Sequence, residues 1–222
     1  MARETEIKLK IGDVRVFQAK LKQRGARIVA GSGGRVHEHN VIFDTPEGGL
    51  AKHGQLLRIR IESPQDTKKK DSPGGPKRVR LTFKQPMAEA MGKSEIPSER
   101  GPYKVREEFE LAVSDPEMLS RILHGLGMNG WFRYEKYRTT YQLPASKKWS
   151  KGLLIELDET PIGAFVELEG PPEAIDRAAT ELGYSKRDYV LRNYLSLYVE
   201  DCRRRGVEPK DMLFGAKKSS KK

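Results

Sequence analysis

Glu4-Thr5-Glu6-Ile7-Lys8-Leu9-Lys10 carries a charge at every even position and Thr, Ile or Leu at every odd one. Side chains alternate across a strand, so this stretch reads as a β-strand with one charged face and one mostly apolar face. The same period recurs along the chain. Residues 57–62 set Leu57, Ile59 and Ile61 against Arg58, Arg60 and Glu62, and residues 78–84 set Val79, Leu81 and Phe83 against Arg78, Arg80, Thr82 and Lys84. Residues 105–111 set Val105, Phe109 and Leu111 against Arg106, Glu108 and Glu110. Residues 153–158 oppose Leu153, Ile155 and Leu157 to Glu156 and Asp158, and residues 164–169 oppose Ala164, Val166 and Leu168 to Phe165, Glu167 and Glu169. Two weaker stretches, 35–43 and 131–141, bring the expected set to about eight half-buried antiparallel strands.

Helical signals fall between the strands. Asp13 caps an expected helix through Val14, Phe17 and Leu21 that stops at Gly25. Asp115-Pro116 opens a second, and Pro171-Pro172 a third through Ile175, Ala179 and Leu182. A fourth is expected from about Asp188 to Arg204. Residues 63–77 and 85–104 read as long loops.

The chain has 222 residues, 36% of them apolar, enough for one domain with a buried core. Its net charge of +11 is uneven. Residues 203–222 hold eight basic residues against Glu208 and Asp211, so the last twenty carry +6 and the first 202 only +5. This distribution excludes a uniformly basic nucleic-acid coat. It leaves one domain over 1–205 and a basic, disordered tail over 206–222. No apolar run approaches the ~20 residues that span a bilayer, and the N-terminus lacks an apolar signal segment. The single cysteine, Cys202, excludes an intramolecular disulfide and a multi-cysteine metal site. The expectation is a soluble cytoplasmic protein with no membrane contact.

Same-face neighbours in a strand lie about 6.5–7 Å apart. Glu4/Glu6, Glu108/Glu110 and Glu167/Glu169 are three such carboxylate pairs, with Glu156/Asp158 a fourth. Pairs of this kind can offer oxygen ligands to Mg²⁺ or Mn²⁺. Lys8, Arg58, Arg60, Arg78, Arg80, Lys84, Arg106, Lys136 and Arg138 share those strand faces and suit phosphate oxygens. If the faces converge, their natural guest is a metal-bound polyphosphate. If they do not, the same pattern is a solvated sheet surface laced with weak cross-strand ion pairs. The pattern alone leaves both open. His37 and His39 read as surface or strand-pairing residues, and Trp131 and Trp149 as packing or loop anchors.

Glu4-Thr5-Glu6-Ile7-Lys8 resembles the Glu-x-Glu-x-Lys signature of the CYTH family, the triphosphate tunnel metalloenzymes. Phe43-Asp44-Thr45-Pro46, Leu56-Leu57-Arg58-Ile59-Arg60, Leu81-Thr82-Phe83-Lys84, Arg106-Glu107-Glu108-Phe109-Glu110, Lys136-Tyr137-Arg138, Glu156-Leu157-Asp158 and Gly163 to Glu169 follow in the family's order. Asn193-Tyr194-Leu195-Ser196-Leu197 resembles its closing Ser-Tyr-x-x-Leu, with Asn for Ser. The resemblance implies an α+β fold: an eight-stranded antiparallel β-barrel, the triphosphate tunnel, flanked by helices. It implies that Lys8, Arg58, Arg60, Lys84, Lys136 and Arg138 bind the triphosphate. It implies that Glu4, Glu6, Glu108, Asp158, Glu167 and Glu169 hold Mg²⁺ or Mn²⁺, with Glu4, Glu6 and Lys8 closest to the chemistry. Glu110, Glu156, Arg78, Arg80 and Arg106 rank behind them, and homodimers occur among such proteins.

Three functions fit this set. The first is a metal-dependent phosphohydrolase acting on tripolyphosphate, a nucleoside triphosphate or thiamine triphosphate. The second is a class IV adenylyl cyclase making cyclic AMP and pyrophosphate from ATP. Several such cyclases carry a His-Phe pair six residues before the first signature Glu, and Glu4 has only three residues ahead of it. The third is a non-catalytic binder of polyphosphate, or of RNA through the basic tail.

Overall fold

The structure, a computed structural model, describes residues 2–65, 75–87 and 102–215. Strand β1 (Ala2–Ile11) leads through α1 (Val14–Gln23) and the short β2 (Arg27–Ile28) to β3 (Arg35–Asp44). A single turn, α2 (Gly49–Lys52), precedes β4 (Leu56–Pro64), β5 (Arg78–Pro86) and β6 (Lys104–Ala112). Then come α3 (Pro116–Gly125), β7 (Asn129–Gln142), β8 (Leu154–Thr160), β9 (Gly163–Glu169) and α4 (Pro172–Leu182). The two-residue β10 (Tyr189–Val190) and α5 (Tyr194–Arg205) finish the set.

Eight strands close on themselves in the order β1-β6-β5-β4-β3-β7-β8-β9, and β9 pairs back to β1. Every neighbouring pair is antiparallel. Closure turns one face of each strand into a lumen and the other into an outer wall. The even positions of β1 face inward, so Glu4, Glu6 and Lys8 are buried although charged. Their odd partners Ile7 and Leu9 are buried on the other side, in the apolar core. The solvated-sheet reading therefore fails: the charged faces converge.

Helices cover the outer wall. Helices α1 and α4 lay Phe17, Leu21, Ile175 and Leu182 against Ile7, Leu9, Ile155, Leu157, Val166 and Leu168. Asp13 caps α1 through Val16 N–H at 2.9 Å, and Asp115 caps α3 through Met118 N–H at 2.9 Å, as the sequence predicts. Helix α3 packs Leu123 on Phe43, Leu57 and Ile59. Helix α5 does not lie on the outer wall but plugs one end of the barrel: its Tyr194, Tyr198 and Cys202 pack on Ile42, Phe132, Tyr134 and Phe165, which share the inward faces of β3, β7 and β9. Gly170, at φ +147°, ends β9 where a Cβ would meet Gly152 O at 2.6 Å. That close approach fixes the strand end that carries Glu169.

Several expectations change. The fourth helix starts at Tyr194, because Lys186–Asp188 form a 3₁₀ turn and Tyr189–Val190 pair with Leu9 and Lys8. Asn193, the departure from the closing motif, is the N-cap of α5 and accepts Ser196 N–H at 2.8 Å. Asn and Ser cap equally well, so the exchange preserves the helix start. The tail does not begin at 206. Met212 is 1% exposed, its N–H donates to Arg133 O at 2.9 Å, and its carbonyl accepts Glu135 N–H at 2.9 Å. Apolar burial of Met212 thus docks residues 207–215 on β7; the rest of the expected tail lies outside the described residues. The expected loops shrink as β4, β5 and β6 extend into them, and their middles (66–74 and 88–101) also lie outside the described residues. Phe109 and Leu111 sit on the outer wall as predicted yet are 40% and 63% exposed.

Candidate functional site

A cavity of about 550 Å³ runs through the barrel. Ten Lys or Arg side chains and ten Asp or Glu side chains line it. One end is lined by Asp44 at the close of β3, Leu56 at the start of β4 and Trp131 near the start of β7, beside Asn193, Tyr194 and Leu195 at the N-terminal end of α5. The other opens among Ser32, Arg78, Thr140 and Leu154. Asp44, from the Phe-Asp-Thr-Pro stretch, accepts N–H groups of Thr45, Leu50 and Ala51 at 2.7–2.9 Å and so fixes the rim at α2.

One linked ion network fills the lumen, its three parts joined through Glu167 and Glu38. On β1, β5 and β6, Lys84 Nζ donates to Glu4 Oε1 and Oε2 at 2.6 and 2.7 Å and lies 3.1 Å from Glu108. Lys104 and Lys8 approach Glu6 at 3.0 and 3.4 Å, and Lys8 reaches Glu167 at 3.2 Å. On β7, β8 and β9, Arg138 bridges Asp158, Glu167 and Glu156. Lys136 joins Asp158 at 2.8 Å and Glu38 at 3.5 Å. On β3, β4 and β5, Arg60 pairs with Glu38 at 3.2 Å while its Nε donates to Asn40 at 2.9 Å. Arg80 joins Glu62 and Glu110 at 2.5 and 2.8 Å.

These pairs set the charge states. Burial alone would raise the Glu6 carboxyl, but Lys8 and Lys104 outweigh it and hold it well below the usual carboxylate range. Burial likewise opposes, and Lys8 and Arg138 overcome, in keeping Glu167 ionised. Burial pulls Lys104 down to about 8 against the pull of Glu6.

Two groups stand apart. Arg58 is buried, and among the described residues its bonds go to neutral hydroxyls: Nη1 to Tyr134 Oη at 3.1 Å and Nη2 to Thr82 Oγ1 at 3.4 Å. Its Nε has no hydrogen-bond partner among the described residues. A guanidinium buried without a carboxylate is costly unless an anion joins it. The second group is Glu169, which has no ion pair among the described residues. Burial, then Glu156 and Glu4, push its carboxyl up to about 8. Burial also pushes Glu156 up to about 7, with Arg138 opposing and Glu167 and Asp158 reinforcing. Carboxylates that repel one another with too few cations between them fit a divalent metal. Even so, among the described residues no three ligand groups yet surround a single point, because Lys84, Lys8, Lys104 and Arg138 occupy the space between them.

The cavity gathers Glu4, Glu6, Lys8, Arg58, Arg60, Lys84, Glu108, Lys136, Arg138, Glu167 and Glu169 in its wall. Asp158 is 0% exposed and does not line the cavity. Its oxygens accept Arg138 Nε at 2.7 Å, Arg138 Nη2 at 2.6 Å, Lys136 Nζ at 2.8 Å and Tyr194 Oη at 2.6 Å. With four donors on its oxygens, Asp158 anchors the two cations that the resemblance assigns to phosphate. Sequence reasoning missed Glu38, Lys104, Tyr134 and Tyr194 in the wall, and Asn40 behind it, where it accepts from Arg60. The period running back from Arg106 reaches Lys104, and the one running back from Ile42 reaches Asn40 and Glu38. Both signals were present. His37 and His39 face outward, 3.7 and 3.5 Å from Glu135, in keeping with strand-pairing histidines. Trp131 lines the cavity rim, not a loop.

Comparison with known proteins agrees with this geometry. The model of the CYTH domain matches residues 2–194. PH1819 of Pyrococcus horikoshii has a similar structure, with TM-score 0.66, 23% identity, and 89% of this chain and 99% of that one covered. So has a Vibrio parahaemolyticus protein provisionally assigned as an adenylate cyclase, with TM-score 0.63, 16% identity and coverage of 87% and 96%. HpAC1 of Hippeastrum, provisionally assigned as an adenylyl cyclase and described as having a dominant triphosphatase activity, matches at TM-score 0.51 and 19% identity, covering 93% and 97%. No curated protein matches the chain. At these identities the solved structures establish the fold alone, and the domain match establishes the family: the chain belongs to the CYTH family.

Proposed function

We propose that this CYTH-family chain is a metal-dependent phosphohydrolase that binds a triphosphate along the barrel lumen. The observation that carries the reading is Arg58, a buried guanidinium held by neutral hydroxyls and lacking a carboxylate partner among the described residues. An anion is the partner that its surroundings lack. Lys8, Arg60, Lys84, Lys136 and Arg138 stand in the same lumen and would grip the remaining phosphate oxygens.

The charge balance supports a metal as part of the substrate complex. The lumen is lined by as many Asp and Glu side chains as Lys and Arg, and Glu4, Glu6 and Glu108 are already paired. A bare polyanion must therefore compete with Glu4, Glu6 and Glu108 for their lysines and arginines. Mg²⁺ or Mn²⁺ held by Glu4, Glu6, Glu108, Glu167 and Glu169 would offset the phosphate charge and lower the pKa of an attacking water. The chain's own part is orientation. Asp158 and Tyr194 fix Lys136 and Arg138, Asn40 fixes the Arg60 fork, and the helix-covered wall excludes water from the outer faces. Held cations of this kind align the phosphate chain for in-line displacement and stabilise charge as it develops.

Purified protein incubated with ATP, and separately with tripolyphosphate, each with Mg²⁺ or Mn²⁺, tests the reading by ³¹P NMR of the products. Orthophosphate from either substrate is expected. Cyclic AMP with pyrophosphate from ATP would replace the hydrolase with a cyclase using the same lumen. Absence of turnover with either would turn the reading toward a binder.

A further inference from the structure

We propose that the Trp131 end of the lumen takes the ring-bearing part of an organic triphosphate, so that the chain favours nucleoside-type triphosphates over inorganic tripolyphosphate. The inference rests on the triphosphate reading of the same cavity. Its first support is the unlike character of the two ends. The far end carries Ser32, Glu62, Arg78, Arg80 and Glu110 beside Val36 and Leu154, whereas Ile42, Leu56, Trp131 and Leu195 line the near end beside Gln55, Asn193 and Asp44, whose carboxylate is already taken up by backbone N–H groups. An inorganic chain has identical ends and no use for an apolar one.

The second support is local backbone geometry. On β3 and β7, Ile42 pairs with Phe132 but Phe43 pairs with Gly130, so Trp131 is the extra residue of a β-bulge. A bulge breaks the in–out alternation and re-aims one side chain, often beside a binding site. Here it places Trp131 at the cavity rim although β7's inward positions are even-numbered. Phe132 and Tyr134 are 3% and 5% exposed, while Trp131 remains 48% exposed. The Phe132 ring backs it, with centroids 6.0 Å apart.

The third support is proximity to the phosphate cradle. Ile42 pairs with Phe132 on one side and with Arg58 on the other. The indole therefore adjoins the strand level of the guanidinium proposed to hold phosphate. A triphosphate gripped there and leading outward meets an exposed aromatic at the rim. Stacking of a base on such a ring is sequence-tolerant, so the site would select for a ring without selecting a particular base.

Steady-state kinetics of wild type, Trp131→Ala and Trp131→Phe with ATP and tripolyphosphate decide the matter. The ratio of kcat/KM for ATP to that for tripolyphosphate is expected to fall roughly five- to hundredfold in Trp131→Ala, and Trp131→Phe should restore most of it. An unchanged ratio would overturn the proposal even if both rates fell, because that pattern marks a structural role. A binding readout separates the inference from the catalytic reading. In a Trp149→Phe background, ATP should quench Trp131 fluorescence and tripolyphosphate should not. If wild type turned over neither substrate, the phosphohydrolase reading would fail, and this quench would still decide the inference. No quench by ATP would overturn it.

Discussion

Lys84 Nζ sits 2.6 Å from Glu4 Oε1 and 3.1 Å from Glu108 Oε1, so one buried ammonium holds two carboxylates proposed to bind metal. A divalent cation entering at Glu4 must share or displace that ammonium. Lysine and metal therefore compete for the same oxygens.

Lys84→Met should act in opposite directions on the two ligands. Metal affinity without substrate should rise roughly tenfold, the equivalent of about 1.4 kcal/mol. KM for the triphosphate should rise as well, since a phosphate-facing cation is gone. Calorimetric titration of Mn²⁺ and steady-state kinetics check the pair of effects. Weaker metal binding in the variant would show that Lys84 supports the carboxylates instead of competing for them.

Arg58→Ala should weaken substrate binding by roughly tenfold to a hundredfold, the worth of one or two charge-assisted hydrogen bonds at about 1.5–3 kcal/mol. Because no carboxylate among the described residues loses a partner, folding should be little disturbed. Kinetics with a melting curve on the same sample test both halves. A large loss of Tm with unchanged KM would remove Arg58 from the cradle.

Tyr194→Phe removes the hydroxyl that donates to Asp158 at 2.6 Å but keeps the ring against Tyr134 and Phe165. Asp158 keeps Lys136 and Arg138, so the cost should be about 1–3 kcal/mol. That corresponds to a Tm lower by several degrees for a chain of this size. Tyr194→Ala should cost more, about 3–5 kcal/mol, because it also opens the apolar plug beneath α5. Equal melting temperatures for the two variants would contradict this division.

Truncation tests the docked segment. Ending the chain after Gly206 removes buried Met212 and its two backbone bonds to β7, and should destabilise the fold by about 2–4 kcal/mol. An unchanged melting temperature would contradict the docking of Met212 on β7.

The pH dependence of the metal-free protein follows from Glu169 and Glu156, raised to about 8 and about 7 chiefly by burial. Folded chains hold these two protons more tightly than unfolded chains do. Their stabilising contribution is thus complete below the ordinary value of 4.5 and is lost as pH rises through 7 and 8. The melting temperature should fall from pH 6 to pH 8, Glu169→Gln should flatten the slope, and Mn²⁺ should raise Tm more at pH 8 than at pH 6. Above pH 8 the lowered Lys104 acts in the opposite sense. A metal-free Tm that climbs from pH 6 to 8 would contradict the crowding at Glu169.

The barrel was legible because a charged lumen obliges strict alternation, and β1, β4, β5, β6, β8 and β9 each display it. β3 was harder to read: Arg35, His37 and His39 line one face and Glu38 and Asn40 the other, so both faces are polar. The conspicuous histidines turned outward and the inconspicuous Glu38 turned inward to hold Arg60 and Lys136. Asp158 had the right period, but pattern gives the face of a side chain and not how many donors surround it. Trp131 escaped because a bulge breaks the period on which the reading depends. The docked Met212 escaped because one apolar residue among charged neighbours has no periodic signal.

The central claim is that a triphosphate and a divalent metal meet in this lumen and that Arg58 holds the phosphate. Calorimetric titration of a non-hydrolysable ATP analogue into wild type and Arg58→Ala, each with and without Mg²⁺, tests it most directly. The account predicts binding that is strong only with Mg²⁺ and at least tenfold weaker in the variant, in line with the charge-assisted bonds lost. Equal binding without the metal, or an unchanged affinity in Arg58→Ala, would contradict it.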